Sequence, residues 1–167
     1  MAAASADQLR EPTILDMVVT DHRNALALLD KFEQASSSQD RIGMENTLNA
    51  ISMEILMHSV AEESVLYPFI EERMGEQGKE FSEHSLREHK KLEKDLLEAL
   101  QARTEGGHEL MDVVKQFRKH FEHHLKDEEQ DFFPKLVQQA SEEELTQLGP
   151  QFIQAKTQAP VEPRAEP

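Results

Sequence analysis

HSVAEESVLYP (58–68) and HLKDEEQDFFP (124–134) share one pattern, His-x-x-x-Glu-Glu-x-x-x-aromatic-Pro, with their histidines 66 residues apart. The first copy lies on a run whose seam is Leu48, Ile51, Ile55, His58, Glu62, Val65, Phe69, stepping 3, 4, 3, 4, 3, 4. That is the heptad spacing of a helix buried on one side, interrupted by an imidazole and a carboxylate. The second copy sits on the same kind of seam: Leu110, Val114, Phe117, Phe121, His124, Glu128. A residue four positions after a helical histidine lies about 6 Å along the axis and about 40° around it. Glu62 and Glu128 therefore face the same way as His58 and His124.

Working outward, two more segments show the helical period. One spans about 12–35, with Leu15, Val18, Ala25, Leu26 and Leu29 on a face and Pro12 suited to the first turn. The other spans about 79–103, with Leu86, His89, Leu92, Leu96 and Leu100. The seam helices run over about 41–74 and 108–140. The connections SSSQD (36–40), GEQG (75–78) and TEGG (104–107) are short and turn-like. Short connections place successive helices antiparallel, so the sequence predicts an all-α, up-and-down antiparallel four-helix bundle over 12–140. A short fifth helix over 141–157 opens on a Ser141/Glu144 capping box. Residues 1–11 read as an N-terminal tail, and the Pro-rich 158–167 as a disordered one.

Residues at one height on neighbouring helices lie equally far from the turn that joins them. The midpoints of His22/His58, His58/His89 and His89/His124 fall at 40, 73.5 and 106.5, each at or beside a turn chosen by composition alone. Four imidazoles thus share one layer with Glu62 and Glu128. Two unpaired carboxylates inside an apolar bundle would cost several kcal/mol each. Two divalent ions with a bridging hydroxide or oxide balance them, whereas one ion leaves ligands over. The expected metal ligands are His22, His58, Glu62, His89, His124 and Glu128. Glu63 and Glu129, rotated about 100° away, are expected behind the ligands or at the surface. His84, His108 and His123 are expected at the surface, and His120 is expected to support the site or add a ligand. Tyr67 reads as a packing residue, and Pro68 and Pro134 as sources of bending.

The bulk numbers narrow the chemistry. The chain has 167 residues, no cysteine, 33 acidic against 18 basic residues, and a net charge of -15. Thiolate catalysis, Fe–S clusters and Cys-type zinc sites are excluded. The charge argues against nucleic acid and anionic membrane as partners. Without a signal-like N-terminus or a long apolar run, the expected location is cytoplasmic, and the expected state a monomer.

Together TDHRNAL around His22, HSVAEESVLYP, REHKKLEKDLLEAL around His89 and HHLKDEEQDFFP resemble the hemerythrin family in its broad HHE cation-binding form, over about 12–138. The resemblance implies a non-haem di-iron centre, two irons bridged by both carboxylates and an oxo or hydroxo group. It also implies a small ligand such as O2, peroxide or nitric oxide. The oxygen-carrying members have a second histidine one turn before the third-helix ligand, where this chain has Ser85. Glu93, one turn after His89, is either a ligand there or a solvated side chain. The carriers also place the last carboxylate five residues after its histidine, and here the spacing is four. These departures favour oxidative or regulatory chemistry over oxygen transport, and two readings follow: a protein that binds or senses O2 or iron, or an enzyme reducing peroxide or nitric oxide. A zinc-holding or metal-free structural bundle is the third reading. The rival ferritin-like pattern needs Glu-x-x-His on helices, and Glu105/His108 straddles the turn at Gly106 and Gly107.

Overall fold

The computed structural model describes residues 10–105 and 108–160. Among the described residues eight α-helical segments follow in order: α1 (Ile14–Ser37), α2 (Arg41–Ala61), α3 (Tyr67–Met74), α4 (Glu76–Glu105), α5 (His108–Lys126), α6 (Phe133–Leu136), α7 (Glu142–Gln147) and α8 (Gly149–Gln158). No strand occurs among the described residues. α2 continues into α3, and α5 into α6, through π-helical turns at Glu62–Leu66 and Asp127–Phe132. With α1 and α4, these two runs make the four long helices of the bundle. α1 contacts α2 and α5, while α4 contacts α3 and α5.

Local chemistry sets the ends. Thr13 caps α1 through a box with Asp16, and the Asp40 carboxylate accepts from the Gly43 N–H at the start of α2. The predicted Ser141/Glu144 box is present at α7. The expected single fifth helix is split in two at Leu148. GEQG is not a four-residue turn, because α4 starts at Glu76 rather than Lys79. Gly75 alone turns the chain, at φ 57. A Cβ on Gly78 would stand 2.4 Å from the Ile70 carbonyl oxygen, so glycine there permits α3 and α4 to meet. The expected tails at 1–11 and 158–167 fall largely outside the described residues, as do Gly106 and Gly107.

The π-turns precede Pro68 and Pro134, which lack an N–H and crowd the carbonyl four residues back. Widening relieves this: the Tyr67 N–H reaches the Glu62 carbonyl, and the Phe133 N–H that of Glu128, each five residues back. The extra residue shifts the buried face. Beyond Glu62 the core takes Leu66, Tyr67 and Ile70, with Val65 and Phe69 only partly buried, so the expected seam is corrected there. Leu86 is also corrected, since it is exposed and the inner face of α4 runs through Ser82, Ser85 and His89.

Two apolar cores result. One contains Leu29, Phe32, Leu48, Ile55, Leu96, Phe117 and Phe121. The other contains Ile14, Val18, Leu66, Ile70, Phe132, Leu136 and Phe152. Between them runs the polar layer.

Candidate metal centre

All six predicted ligands meet in that layer, each at most 4 % exposed. α1 supplies His22, α2 supplies His58, α4 supplies His89 and α5 supplies His124. The first residue of the first π-turn is Glu62, and Glu128 is the second residue of the other. The imidazoles form two facing pairs, with 3.2 Å between the Nε2 atoms of His22 and His58 and 3.2 Å between those of His89 and His124. Each carboxylate spans both pairs. Glu62 Oε2 is 3.2 Å from His58 Nε2 and 3.3 Å from His89 Nε2. Glu128 Oε2 is 3.3 Å from His22 Nε2 and 3.7 Å from His124 Nε2.

The residues fit metal ions. Two ligands each about 2.1 Å from one ion, at roughly 90–110° to one another, stand about 3.0–3.4 Å apart, which brackets the Nε2 separations. Glu62 Oε1 and Glu128 Oε2 are buried without a hydrogen-bond partner, which is costly unless a cation takes up their lone pairs. Ligand atoms of His22, His58, Glu62 and Glu128 lie within 4.8 Å of one another, and so do those of Glu62, His89 and His124. Glu62 belongs to both groups, as a bridging ligand must.

Each of the four candidate imidazoles is held from behind by a carboxylate at Nδ1. The distances are 2.8 Å for His22 to Glu129, 3.3 Å for His58 to Asp21, 2.9 Å for His89 to Glu63 and 3.2 Å for His124 to Glu88. Such partners fix the tautomer and leave Nε2 free for a metal. The expectation for Glu63 and Glu129 holds, while Asp21 and Glu88 were not anticipated. Asp21 is in turn 2.6 Å from Lys156 on α8, and Glu129 is 2.6 Å from Arg23. His120 neither supports nor extends the centre through its Nδ1, which bonds Asp95 at 2.5 Å. Glu93 is outside the ligand groups. His84 and His123 are partly or largely exposed as expected; the side chain of His108 is not among those described.

Tyr67 does more than fill space. Its hydroxyl is 3.2 Å from Glu62 Oε2, 3.1 Å from Glu128 Oε1 and 3.1 Å from His89 Nε2. Burial and the charges of Glu128 and Glu62 push its pKa well above the ordinary phenol value, so it keeps a proton to donate. Buried Ser85 lies on α4 where the oxygen carriers' pattern has a histidine, and the tyrosine hydroxyl enters the layer from α3. Tyr67→Phe should lower the stability of the metal-free protein by about 1–3 kcal/mol, because the carboxylates lose their donor. Denaturant melts of the two proteins check this, and equal midpoints would show the hydroxyl idle.

Without metal, protons balance the carboxylates. Burial pulls the pKa of His58 down, but Glu62 and Asp21 outweigh it and raise it to about 10. Likewise Glu62 and Glu63 raise His89 to about 9 against burial. Burial raises Glu62, yet His58 and His89 hold it well below the ordinary carboxylate value. A raised histidine pKa contributes stability that is fully present below the unfolded value of 6.5 and lost as pH climbs through about 9 and about 10. Glu62 acts in the opposite sense, its share being lost in acid below 4.5. Chelator-treated protein should therefore melt lower above pH 10 than at pH 7, and a midpoint that holds or rises would contradict the protonated layer.

Residues 13–146 match the family described as the hemerythrin HHE cation-binding domain. An uncharacterized hemerythrin-like protein of Schizosaccharomyces pombe is 30 % identical over 147 residues, covering 88 % of this chain and 70 % of that protein. A DNA nickase of Nostoc sp. is 25 % identical over 156 residues, covering 93 % of this chain but only 42 % of its own length. No solved structure matches.

Proposed function

Because the chain belongs to the hemerythrin HHE cation-binding family, we propose that it holds two iron ions at His22, His58, Glu62, His89, His124 and Glu128 and uses them to bind O2 or to sense oxygen or iron. The observation that carries this reading is the pair of facing imidazole couples spanned by two buried carboxylates with orphaned oxygens. Iron there would supply open coordination and electrons for a small ligand; imidazole and carboxylate suit it. The chain's own contribution is positional. Asp21, Glu63, Glu88 and Glu129 aim the four Nε2 atoms. The hydroxyl of Tyr67 holds a proton against the Glu62 and Glu128 oxygens, and the two apolar cores keep bulk water out. No helix among the described residues is long and apolar enough to cross a membrane.

Neither a substrate cleft nor an acid/base pair apart from the ligand layer is needed for such a role, and a single chain supplies every ligand. The activity named for the Nostoc relative is not carried over, because that protein is more than twice as long as the shared part and a net charge of -15 opposes a phosphate backbone. Visible spectra of iron-loaded protein under nitrogen, under air and again under nitrogen test the reading. Bands that appear with O2 and vanish on its removal are expected. Bands that stay, together with continuing consumption of O2, peroxide or nitric oxide, would replace binding by the enzyme reading.

A further inference from the structure

The spacing that builds the buried centre recurs at the surface beside it. His84 precedes Glu88 by four residues on α4, and His123 near the end of α5 precedes Asp127, the first residue of the second π-turn, by four, one position out of register with His124 and Glu128. The two pairs face each other. His84 Nε2 is 3.0 Å from Asp127 Oδ2 and 3.8 Å from Glu88 Oε1. His123 Nδ1 is 3.5 Å from Asp127 Oδ1, and its Nε2 is 3.9 Å from Glu88 Oε1. Ligand atoms of His84, Glu88 and Asp127 all lie within 4.8 Å of one another. The imidazoles are reachable from solvent, at 45 % and 59 % side-chain exposure, and the carboxylates sit deeper, at 15 % and 22 %.

An ordinary surface ion-pair network would explain one such contact. It does not explain why two helices each bring the metal-ligating pair to one spot. Nor does it explain the second contact of Glu88, whose Oε2 lies 3.2 Å from Nδ1 of the buried ligand His124. One carboxylate thus joins the outer cluster to the inner layer.

We propose that His84, Glu88, His123 and Asp127 bind one divalent transition-metal ion at the surface, and that ions pass from there into the buried centre. Imidazole with carboxylate suits Fe(II), Mn(II), Co(II) and Zn(II) alike. The acidic protein concentrates such cations at its surface, while the inner ligands are almost sealed, so a waiting position beside His124 shortens the route. Binding at the surface stands on its own geometry; the loading step rests on the buried layer being a metal centre.

Equilibrium dialysis of the full chain against Co(II) tests the site, and stopped-flow absorbance tests the loading. Wild type is expected to take up three ions, and the double variant His84→Ala/His123→Ala two, because both changed side chains are solvent-accessible and leave the inner ligands intact. At limiting Co(II) the double variant should fill its centre roughly tenfold more slowly, as expected when local cation concentration is lost. The variant His58→Ala should keep the surface ion. Equal ion counts in wild type and double variant overturn the site, and equal filling rates overturn the loading step. If wild type takes one ion that the double variant loses and the centre never fills, the surface site stands and the reading of the centre fails.

Discussion

Glu62→Ala is expected to abolish stoichiometric binding of both ions, not of one. Its Oε2 stands 3.2 Å from His58 and 3.3 Å from His89, so the side chain serves each imidazole pair, and its loss takes a ligand from both positions. The same change removes the carboxylate that holds His58 and His89 protonated in the metal-free protein. Breaking a buried charged pair by deleting one partner typically costs about 3–5 kcal/mol, although here the histidines can release protons and soften the loss. The neighbouring Glu63→Gln supplies the contrast. Glu63 reaches the back of His89 at 2.9 Å, and changes at such supporting positions weaken metal binding by roughly 10–100-fold without destroying the site. Metal titration of the two variants separates them: loss of both inner ions for Glu62→Ala, with only the surface ion left, and a right-shifted but full isotherm for Glu63→Gln. Identical isotherms would remove the bridging role from Glu62.

The second large effect is on stability. A folded layer of four imidazoles and two carboxylates binds ions far better than the unfolded chain, so metal adds to the folding free energy by mass action. At free metal about a thousandfold above the dissociation constant the gain is about 4 kcal/mol. For a chain of this size that corresponds to a thermal midpoint roughly 8–16 °C higher for loaded than for stripped protein. Calorimetry of the two forms reads the difference directly. In Glu62→Ala the gap should close, and a wild-type gap near zero would mean that the layer is structural and takes no ion.

Much of the fold, and the meeting of all six candidate residues in one buried layer, could be read from the sequence because helical periodicity and turn spacing are independent signals that agreed. The midpoint of His58 and His89, 73.5, lies beside Gly75, the residue that turns the chain. What was misread has one main physical source. Heptad stepping assumes that a helix keeps its pitch, and Pro68 and Pro134 widen it by one residue right after the glutamates. The buried face then passes to Leu66, Tyr67 and Ile70 instead of Val65 and Phe69. The same shift turns Tyr67 inward, so its hydroxyl role could not be seen in a pattern that treated it as the counterpart of Phe133. Leu86 was placed on the α4 seam because it is apolar, but that face is lined by serines where the phenol ring comes in. Asp21 and Glu88 adjoin ligands in space, through contacts between α1 and α2 and between α4 and α5, and spacing along one helix does not report such partners.

The proposed function stands on two irons per chain in this layer. Mass-spectrometric metal content of the protein as purified, and again after anaerobic addition of Fe(II) and removal of the excess and of any surface-bound ion, tests it most directly. Two irons per chain are expected, retained in wild type and lost in Glu62→Ala. One iron or none after reconstitution, or two irons that survive the loss of Glu62, would contradict it.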